Sequence, residues 1–516
     1  MNIAEALAAL PAPEVTGAAD GEITAITYNS TEVQPGACFL AIRGKRRDGH
    51  AYIGDALRAG ALLVVGSDPA PADFPADRVY ARVADSRREL ATLAAAFAGR
   101  PSERMAVIGV TGTDGKTTVT NLVDAILEAG GFRTGLMSTV DFKIAGERSQ
   151  NNTRFTTLEA PEVQERLARM ADARTQCAVL ETTSSGLALH RVWAVAYDVA
   201  VVTNITSEHL ELHGTQEAYW RAKAMLCEAI DPDAVKPGFP GVPKACVLNA
   251  DDRSFTYLLD FCRAPVVSYG LSEGADVRAE RVELRADGSR FDVRLPNRTR
   301  FTVETSLVAG YNVSNCLAAI ATGYLFGVAP ERMAAALAAF PGVPGRMERI
   351  EMGQPFSVVV DYAHTADSLE KVLNVLRPLT TGRLIAVFGS AGDRDRVKRP
   401  AMGAVAARLA DFAVITDEDP RTEDAMSILR EIAGGADAAG AREGEKYRCV
   451  VDRRKGIGAA FAMAHAGDTV LLAGKGHEQS IIIGEAKLPW DDRRVARDEL
   501  RALGYGGAAE TGANDA

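Results

Sequence analysis

Residues 112–118 read G-T-D-G-K-T-T. Residues of these types cradle phosphate. Glycines let backbone N–H groups close on an anion, a lysine meets the terminal phosphates, and the next threonine hydroxyl ligates a divalent cation. The usual loop, G-x-x-x-x-G-K-[ST], needs glycine at 110, where Val110 stands. The stretch is therefore a shortened G-x-x-G-K-T-T. It follows the apolar run 105–110 and precedes an amphipathic segment from Thr117 to about Gly130, so strand, turn and helix are expected in that order. Nucleotide binding is the reading, with Lys116 on phosphate and Thr117 on Mg²⁺. Mg²⁺ takes oxygen ligands, and Glu181, closing the apolar run 177–181, is the carboxylate placed to supply one.

Other polar groups are less specific. His209 and His213 are four apart in T-S-E-H-L-E-L-H-G. The H-E-x-x-H zinc pattern fails because Leu210 follows the first histidine, and no cysteine or third histidine lies close. His209 is assigned to Mg²⁺ or phosphate, and His213 to capping or packing. Lys223 shares a helical face with Trp220 and Cys227, which by itself indicates only an apolar stem. F-G-S-A-G-D-R-D-R-V-K-R-P (388–400) is a glycine-rich basic run that suits phosphate or carboxylate through arginine forks, and equally a solvated charged face. T-D-E-D-P-R-T-E-D (416–424) sets Arg421 among acids, and A-G-K-G-H-E-Q (473–479) offers Lys475, His477 and Glu478 on a glycine-rich loop.

The elements that must hold these groups show a regular pattern. Glu181, Asn204, Asp361, Gly389, Asp417 and Gly474 each follow an apolar run directly. In open α/β sheets, ligands bind outside the carboxyl ends of the strands. The pattern predicts two α/β domains that present polar groups at that edge, with a cleft shared between them. A chain of 516 residues exceeds one ordinary core. A helix ending at Gly99-Arg100-Pro101 and the segment F-P-G-V-P-G-R (340–346) read as linkers. They divide the chain into 1–101, 102–341 and 342–503, and 504–516 reads as a disordered tail. The last domain alternates strand and helix, as a Rossmann-type parallel sheet does. Residues from about 240 to 305 read as an antiparallel subsheet.

The net charge of −10 argues against nonspecific nucleic-acid binding. Seven scattered cysteines without a C-x-x-C fit free thiols in a reducing compartment. There is no basic, apolar leader and no run long enough to span a membrane, so a cytoplasmic location is expected. These features reach an ATP- or GTP-using enzyme and leave motor, kinase and ligase open.

The combined motifs resemble the Mur ligase family, and within it the branch that adds the third peptide residue to the peptidoglycan precursor. Besides 112–118, the likeness rests on L-E-T-T-S-S-G-L-A-L-H-R, T-N-I-T-S-E-H-L-E-L-H-G, A-G-Y-N-V-S-N-C-L-A-A, P-G-R-M-E-R-I, D-Y-A-H-T-A-D-S-L-E-K-V-L, the 388–400 run, D-P-R-T-E-D and A-G-K-G-H-E. It extends from about residue 24 to 500. The resemblance implies three α/β domains: an N-terminal one for the UDP moiety, a central P-loop-type ATPase and a C-terminal Rossmann-like one. It implies ATP-driven amide formation on UDP-MurNAc-L-Ala-D-Glu through an acyl phosphate, with ATP and Mg²⁺, a diamino acid as second substrate, and a monomer.

Roles carry over by position. Gly112, Thr113, Asp114, Gly115, Lys116, Thr117, Thr118, Asn312, Arg346 and Asp361 match ATP contacts. Thr117, Glu181, His209 and Lys223, the last as a carbamate, match metal ligands, and Lys116, Glu181, His209 and Lys223 are the catalytic set. Ser30 matches a serine at the UDP end, and Thr156, Thr157, Ser184 and Arg191 match positions on the muramoyl-dipeptide. Arg394, Glu418, Asp419, Pro420, Arg421, Gly474 and Glu478 match the amino-acid pocket. Departures from the family pattern are Asn29–Thr31 for D-S-R, and Ser185, Ser207 and Ala366 for His, His and Pro. In the pocket, D-N-P-R becomes E-D-P-R (Glu418–Arg421): Arg421 is kept and Asp419 takes the place of Asn. Retained Arg421 favours the distal carboxylate of meso-diaminopimelate, while an acid at 419 would suit lysine or ornithine. Another Mur-type ligase or a noncatalytic binding subunit is the remote alternative. The catalytic set is complete, which argues against the latter.

Overall fold

The computed structural model describes residues 1–18, 20–44, 47–153, 155–206, 210–285 and 287–506, without the side chains of Leu210 and Glu211. The chain divides into two compact units: residues 1–283, 289–305 and 310–340, and the remainder.

The first unit holds two sheets. The smaller runs in the order Glu14–Thr16, Val79–Arg82, Leu63–Gly66, Cys38–Ala41, Ile26–Thr27 and is parallel apart from its first pair. Short, fully buried apolar strands such as Cys38–Ala41 and Leu63–Gly66 are the expected sequence signature of parallel pairing. The helix Ser86–Phe97, capped by Asp85, covers this sheet with Leu90, Ala91 and Leu93. Ala160 belongs to the same apolar cluster.

The larger sheet has eleven strands. At its centre Val199–Val202, Ala106–Thr111, Cys177–Glu181 and Thr134–Met137 lie side by side and parallel. Glu181 stands opposite Val110, and Leu180 opposite both Gly109 and Met137. The carboxyl ends of these strands therefore form one edge. The region from 240 to 305 only partly meets expectation. Ala245–Asn249, Val266–Gly270 and Val277–Arg285 continue the sheet in parallel, and Gly288–Arg294 pairs with Arg300–Thr305 antiparallel.

The second unit is built on Ser357–Asp361, Thr469–Ala473, Leu384–Phe388, Phe412–Ile415 and Tyr447–Cys449, all parallel in that order, with Glu348–Arg349 antiparallel at one edge. Each of these runs was expected as a strand except the two edge pieces, which are too short to carry a pattern. Separate apolar clusters fill the two faces, one around Leu369, Phe388, Met402 and Leu429, the other around Val360, Ile457, Phe461 and Leu500. Of the expected tail, Gly504–Gly506 are described, and Tyr505 meets Phe356 edge-on at 6.1 Å; 507–516 lie outside the described residues. No described helix is long and apolar enough to cross a membrane.

Candidate active site

In the first unit, the loop after Ala106–Thr111 turns into the helix Lys116–Ala129. Gly112 has φ 148° and Gly115 φ 82°. A Cβ at Gly112 would stand 1.8 Å from Thr203 Oγ1, and one at Gly115 2.4 Å from Asn315 Oδ1. Glycine is thus required at both positions by space, and at Gly115 by a left-handed backbone as well. The loop is pinned from below. Thr113 N donates to Asn204 O at 2.7 Å, Asp114 N to Asn204 Oδ1 at 3.0 Å, and Thr203 Oγ1 to Asp114 O at 2.6 Å. Lys116 Nζ rests on the carbonyls of Gly112 (3.1 Å) and Thr113 (2.7 Å). Thr118 lies in the first turn of the helix.

Strand order brings Thr117 and Glu181 together: Thr117 Oγ1 donates to Glu181 Oε1 at 3.0 Å. Glu181 Oε2 accepts from Thr139 N (2.8 Å) and Thr139 Oγ1 (2.9 Å). Thr139 shares a 2.9 Å bond with Thr156. Thr157 Oγ1 donates to the Glu181 carbonyl at 3.1 Å, and Arg191 reaches the Thr157 carbonyl at 3.0 Å and Glu159 at 2.7 Å. Ser184, buried at the start of a short helix, bonds His213 Nε2 at 3.2 Å, and the His213 ring meets Tyr219 edge-on. That agrees with a packing role for His213. Thr156 is thus linked to the Glu181 carboxylate through Thr139, Thr157 to the Glu181 carbonyl directly and Arg191 to the same carbonyl through Thr157, while Ser184 is engaged by His213. Ser30 sits on the helical turn Ser30–Glu32 behind its Asn29 cap. Nearby Tyr28 has its phenol pushed up by partial burial and by the carboxylates of Glu159 and Glu162, so this turn lies toward the Arg191–Glu159 pair.

Lys223 is 1% exposed, far more enclosed than an apolar stem on a surface helix requires. Its Nζ donates to Gly112 O at 2.5 Å and lies 4.7 Å over the Tyr219 ring. Tyr219 OH in turn bonds Thr113 Oγ1 at 2.9 Å. Asn312, buried, accepts from Asn315 Nδ2 at 2.9 Å, which connects it to the wall of Gly115. His209 and Ser207 fall outside the described residues.

In the second unit Asp361 closes its strand and caps two backbone amides, Met347 at 2.8 Å and Ala363 at 2.9 Å. Burial raises its pKa against the pull of the Arg346 guanidinium, which lies 4.7 Å over the Tyr362 ring. Asp419 Oδ1 accepts from Lys475 Nζ at 2.9 Å and from Ile482 N at 2.9 Å. Lys475, fully buried, also holds Glu478 Oε2 at 2.6 Å. Burial raises the Glu478 pKa in spite of that lysine. Gly474, at φ 110°, leaves room beside Glu418: a Cβ there would be 3.2 Å from Glu418 Oε2. Glu418 Oε2 and Arg421 Nε are buried atoms without hydrogen-bond partners. Arg421 has φ 53°, and its backbone bonds Ile482 and Gly484 on either side; Pro420 is buried just before it. Burial pushes the Asp417 carboxyl up to about 6 and, with the Arg346 charge, holds His477 down to about 3.

The basic run 388–400 proves to be mostly structural. Arg399, wholly buried, grips Glu423 and Glu431 at 2.8 and 2.9 Å, Arg396 pairs with Glu431, and Lys398 reaches the His364 carbonyl at 2.8 Å. Arg394 and Arg396 are the exposed basic members. Among the family departures, Ala366 is the first residue of a helix capped by Thr365, where a proline and an alanine serve equally because that N–H has no intrahelical acceptor. Thr139, Tyr219, Thr203 and Tyr362 were not expected at the site. Thr203 and Tyr362 stand inside quoted motifs, T-N-I-T-S-E-H-L-E-L-H-G and D-Y-A-H-T-A-D-S-L-E-K-V-L, without having been singled out, and Thr139 and Tyr219 lie in none of them.

The comparisons agree along the whole chain. Residues 22–98 match "Mur ligase family, catalytic domain", 110–323 "Mur ligase middle domain" and 345–476 "Mur ligase, glutamate ligase domain". The UDP-N-acetylmuramyl-tripeptide synthetase of Roseiflexus sp. (strain RS-1) is 49% identical, over 98% of this chain and 100% of its own length. The UDP-N-acetylmuramoyl-L-alanyl-D-glutamate–2,6-diaminopimelate ligase of Solibacter usitatus is 39% identical over 98% of this chain and 99% of its own. A solved structure of a ligase with the same diaminopimelate name superposes with a TM-score of 0.65 at 29% identity, covering 93% of this chain and 95% of that one.

Proposed function

The chain belongs to the Mur ligase family, and on that premise we propose that it adds meso-diaminopimelate to UDP-MurNAc-L-Ala-D-Glu in an ATP-dependent amide ligation. The observation that carries this reading is the junction of Thr117 and Glu181. It sets a carboxylate and a hydroxyl, both hard oxygen donors, at the start of the phosphate-loop helix, with the dipeptide candidate Thr156 on that carboxylate's partner Thr139 and Thr157 on the Glu181 carbonyl. That donor set fits Mg²⁺.

Gly112–Thr118 receive the phosphates on backbone amides, with Lys116 turning from its loop carbonyls to the terminal groups. Asn312, Arg346 and Asp361 serve the nucleotide. Thr117, Glu181, His209 and Lys223 as its carbamate hold Mg²⁺, which when bound offsets phosphate charge. Lys223 becomes an anionic ligand only by combining its neutral amine with CO₂. Ser30 contacts the UDP end, and Thr156, Thr157, Ser184 and Arg191 fix the dipeptide. Its D-glutamyl carboxylate attacks the terminal phosphorus and ADP leaves, forming an acyl phosphate. The amino group of the second substrate attacks the acyl carbon. The tetrahedral intermediate expels phosphate, the amine gives up its proton, and the amide remains. Positioning of three reactants is the main contribution of the protein.

Arg394, Gly474, Glu478 and the 418–421 stretch take the diamino acid. Asp419 Oδ1 is already engaged by buried Lys475 and by Ile482 N, so that oxygen is not open to a distal ammonium. Arg421 keeps an unpartnered buried nitrogen, which suits a carboxylate. Both favour meso-diaminopimelate over lysine or ornithine. The domains are taken as 1–101, 102–341 and 342–503, the protein as a monomer, and the reaction as cytoplasmic, where ATP and UDP-linked precursors occur together. The test is stoichiometry. With both substrates present, phosphate, ADP and a product heavier by one amino-acid residue should form in equal amounts. Phosphate release that ignores the second substrate would contradict the ligase reading.

A further inference from the structure

The sequence scatters seven cysteines, and the fold gathers three of them in the first unit. Cys227 lies on the helix Gln216–Glu228, one turn past Lys223. Cys246 lies on the strand Ala245–Asn249, and Cys262 shortly after the helix Phe255–Leu259. Their three Sγ atoms lie within 4.8 Å of one another. Cys227 and Cys246 are fully buried and Cys262 is half-buried, so the group faces solvent on the Cys262 side. The Cys246 thiol donates to the Cys227 carbonyl at 3.9 Å and the Cys262 thiol to the Leu258 carbonyl at 3.3 Å. None of the three is used in the ligation derived above.

The spacing is that of a ligand set. Three sulfurs around one cation, each at about 2.3 Å, stand about 4 Å apart. Separations of no more than 4.8 Å are compatible with that spacing. Among the described residues no histidine or carboxylate joins the group, and an all-sulfur donor set selects soft ions. A disulfide would use two of the sulfurs, require an oxidant and leave the third unexplained. We propose that Cys227, Cys246 and Cys262 form a binding site for one soft, thiophilic cation of the Cu(I) or Zn(II) class, held by three thiolates. Binding breaks the three S–H bonds and forms three sulfur–metal bonds. The protons pass to solvent and no electron is transferred. Because Cys227 shares its helix with Lys223, the bound cation braces the element that carries that lysine.

The experiment uses the full chain, reduced and stripped with chelator, titrated with Cd²⁺ as a spectroscopic probe. The expected result is a thiolate-to-metal charge-transfer band that saturates at one ion per chain, survives desalting and accompanies a higher unfolding temperature. Cys262→Ser, at the half-buried position, and Cys246→Ala should each abolish tight binding with far-UV circular dichroism unchanged. Cys449→Ala, which removes a thiol outside the group, should bind as the parent does. The unmutated protein already decides the matter if the variants misfold: no saturable band overturns the site. A band that persists in a folded Cys262→Ser, or one lost in Cys449→Ala, also overturns it. So does a chain that takes no Cd²⁺ and loses two hydrogens in mass on exposure to air, which marks a disulfide pair.

Discussion

Both oxygens of Glu181 are engaged, one by Thr117 and the other by Thr139. Glu181→Gln keeps the shape and removes the charge. Phosphate release at saturating substrates should fall on the order of 10²-fold with the circular dichroism unchanged, and a variant within a few-fold of the parent would show that this carboxylate holds no metal. Asp417 makes a prediction of the opposite kind. Its folded pKa of about 6 lies above the ordinary 3.8. The folded state thus binds more protons than the unfolded between those values. The contribution of this group is full below pH 3.8 and is lost as pH rises through 6, by about 3 kcal/mol at most. Asp417→Asn should therefore gain urea resistance relative to the parent at pH 7.5 and not at pH 4; equal gains at both would refute the raised pKa. The placement of Lys116, Thr117 and Glu181 at one strand edge was legible because their types and positions after apolar runs are diagnostic. Lys223 was not. Its helical face looks merely apolar, and only its reach to Gly112 O, made by folding, distinguishes it.

Among the elements, the phosphate loop depends on two glycines, each of which leaves no space for a Cβ. Gly115→Ala places a methyl group 2.4 Å from Asn315 in a left-handed turn, a strain of about 1–3 kcal/mol. ATP affinity should drop at least tenfold by calorimetry while the nucleotide-free protein still unfolds cooperatively at a temperature lower by a few degrees, and unaltered affinity would mean that the loop is not the phosphate site. The strands of both parallel sheets could be read from their apolar runs and their edge from the polar residues that follow them. What could not be read was strand order. Thr139 became a partner of Glu181 because Thr134–Met137 lies beside Cys177–Glu181, a pairing that no local pattern encodes. The basic run 388–400 shows the converse limit. Its charges suggested a ligand, yet Arg396 and Arg399 answer acids on a later helix and loop.

For the whole molecule, the second unit closes its apolar clusters with its own residues, from Met347 to Tyr505. Residues 342–506 expressed alone should melt cooperatively with native-like circular dichroism. Residues 1–101 alone should not, since Ala160 completes their core and Arg88 stacks on Trp193; a cooperative melt for 1–101 would contradict that dependence. The measurement that bears most directly on the central claim compares acceptors. Phosphate release from ATP with UDP-MurNAc-L-Ala-D-Glu is followed with meso-diaminopimelate, L-lysine or L-ornithine added separately. Turnover with diaminopimelate alone, lost on Arg421→Ala, is the predicted result. Turnover that prefers lysine or ornithine would contradict the pocket assigned to Arg421, and none with any of the three would contradict the assigned reaction.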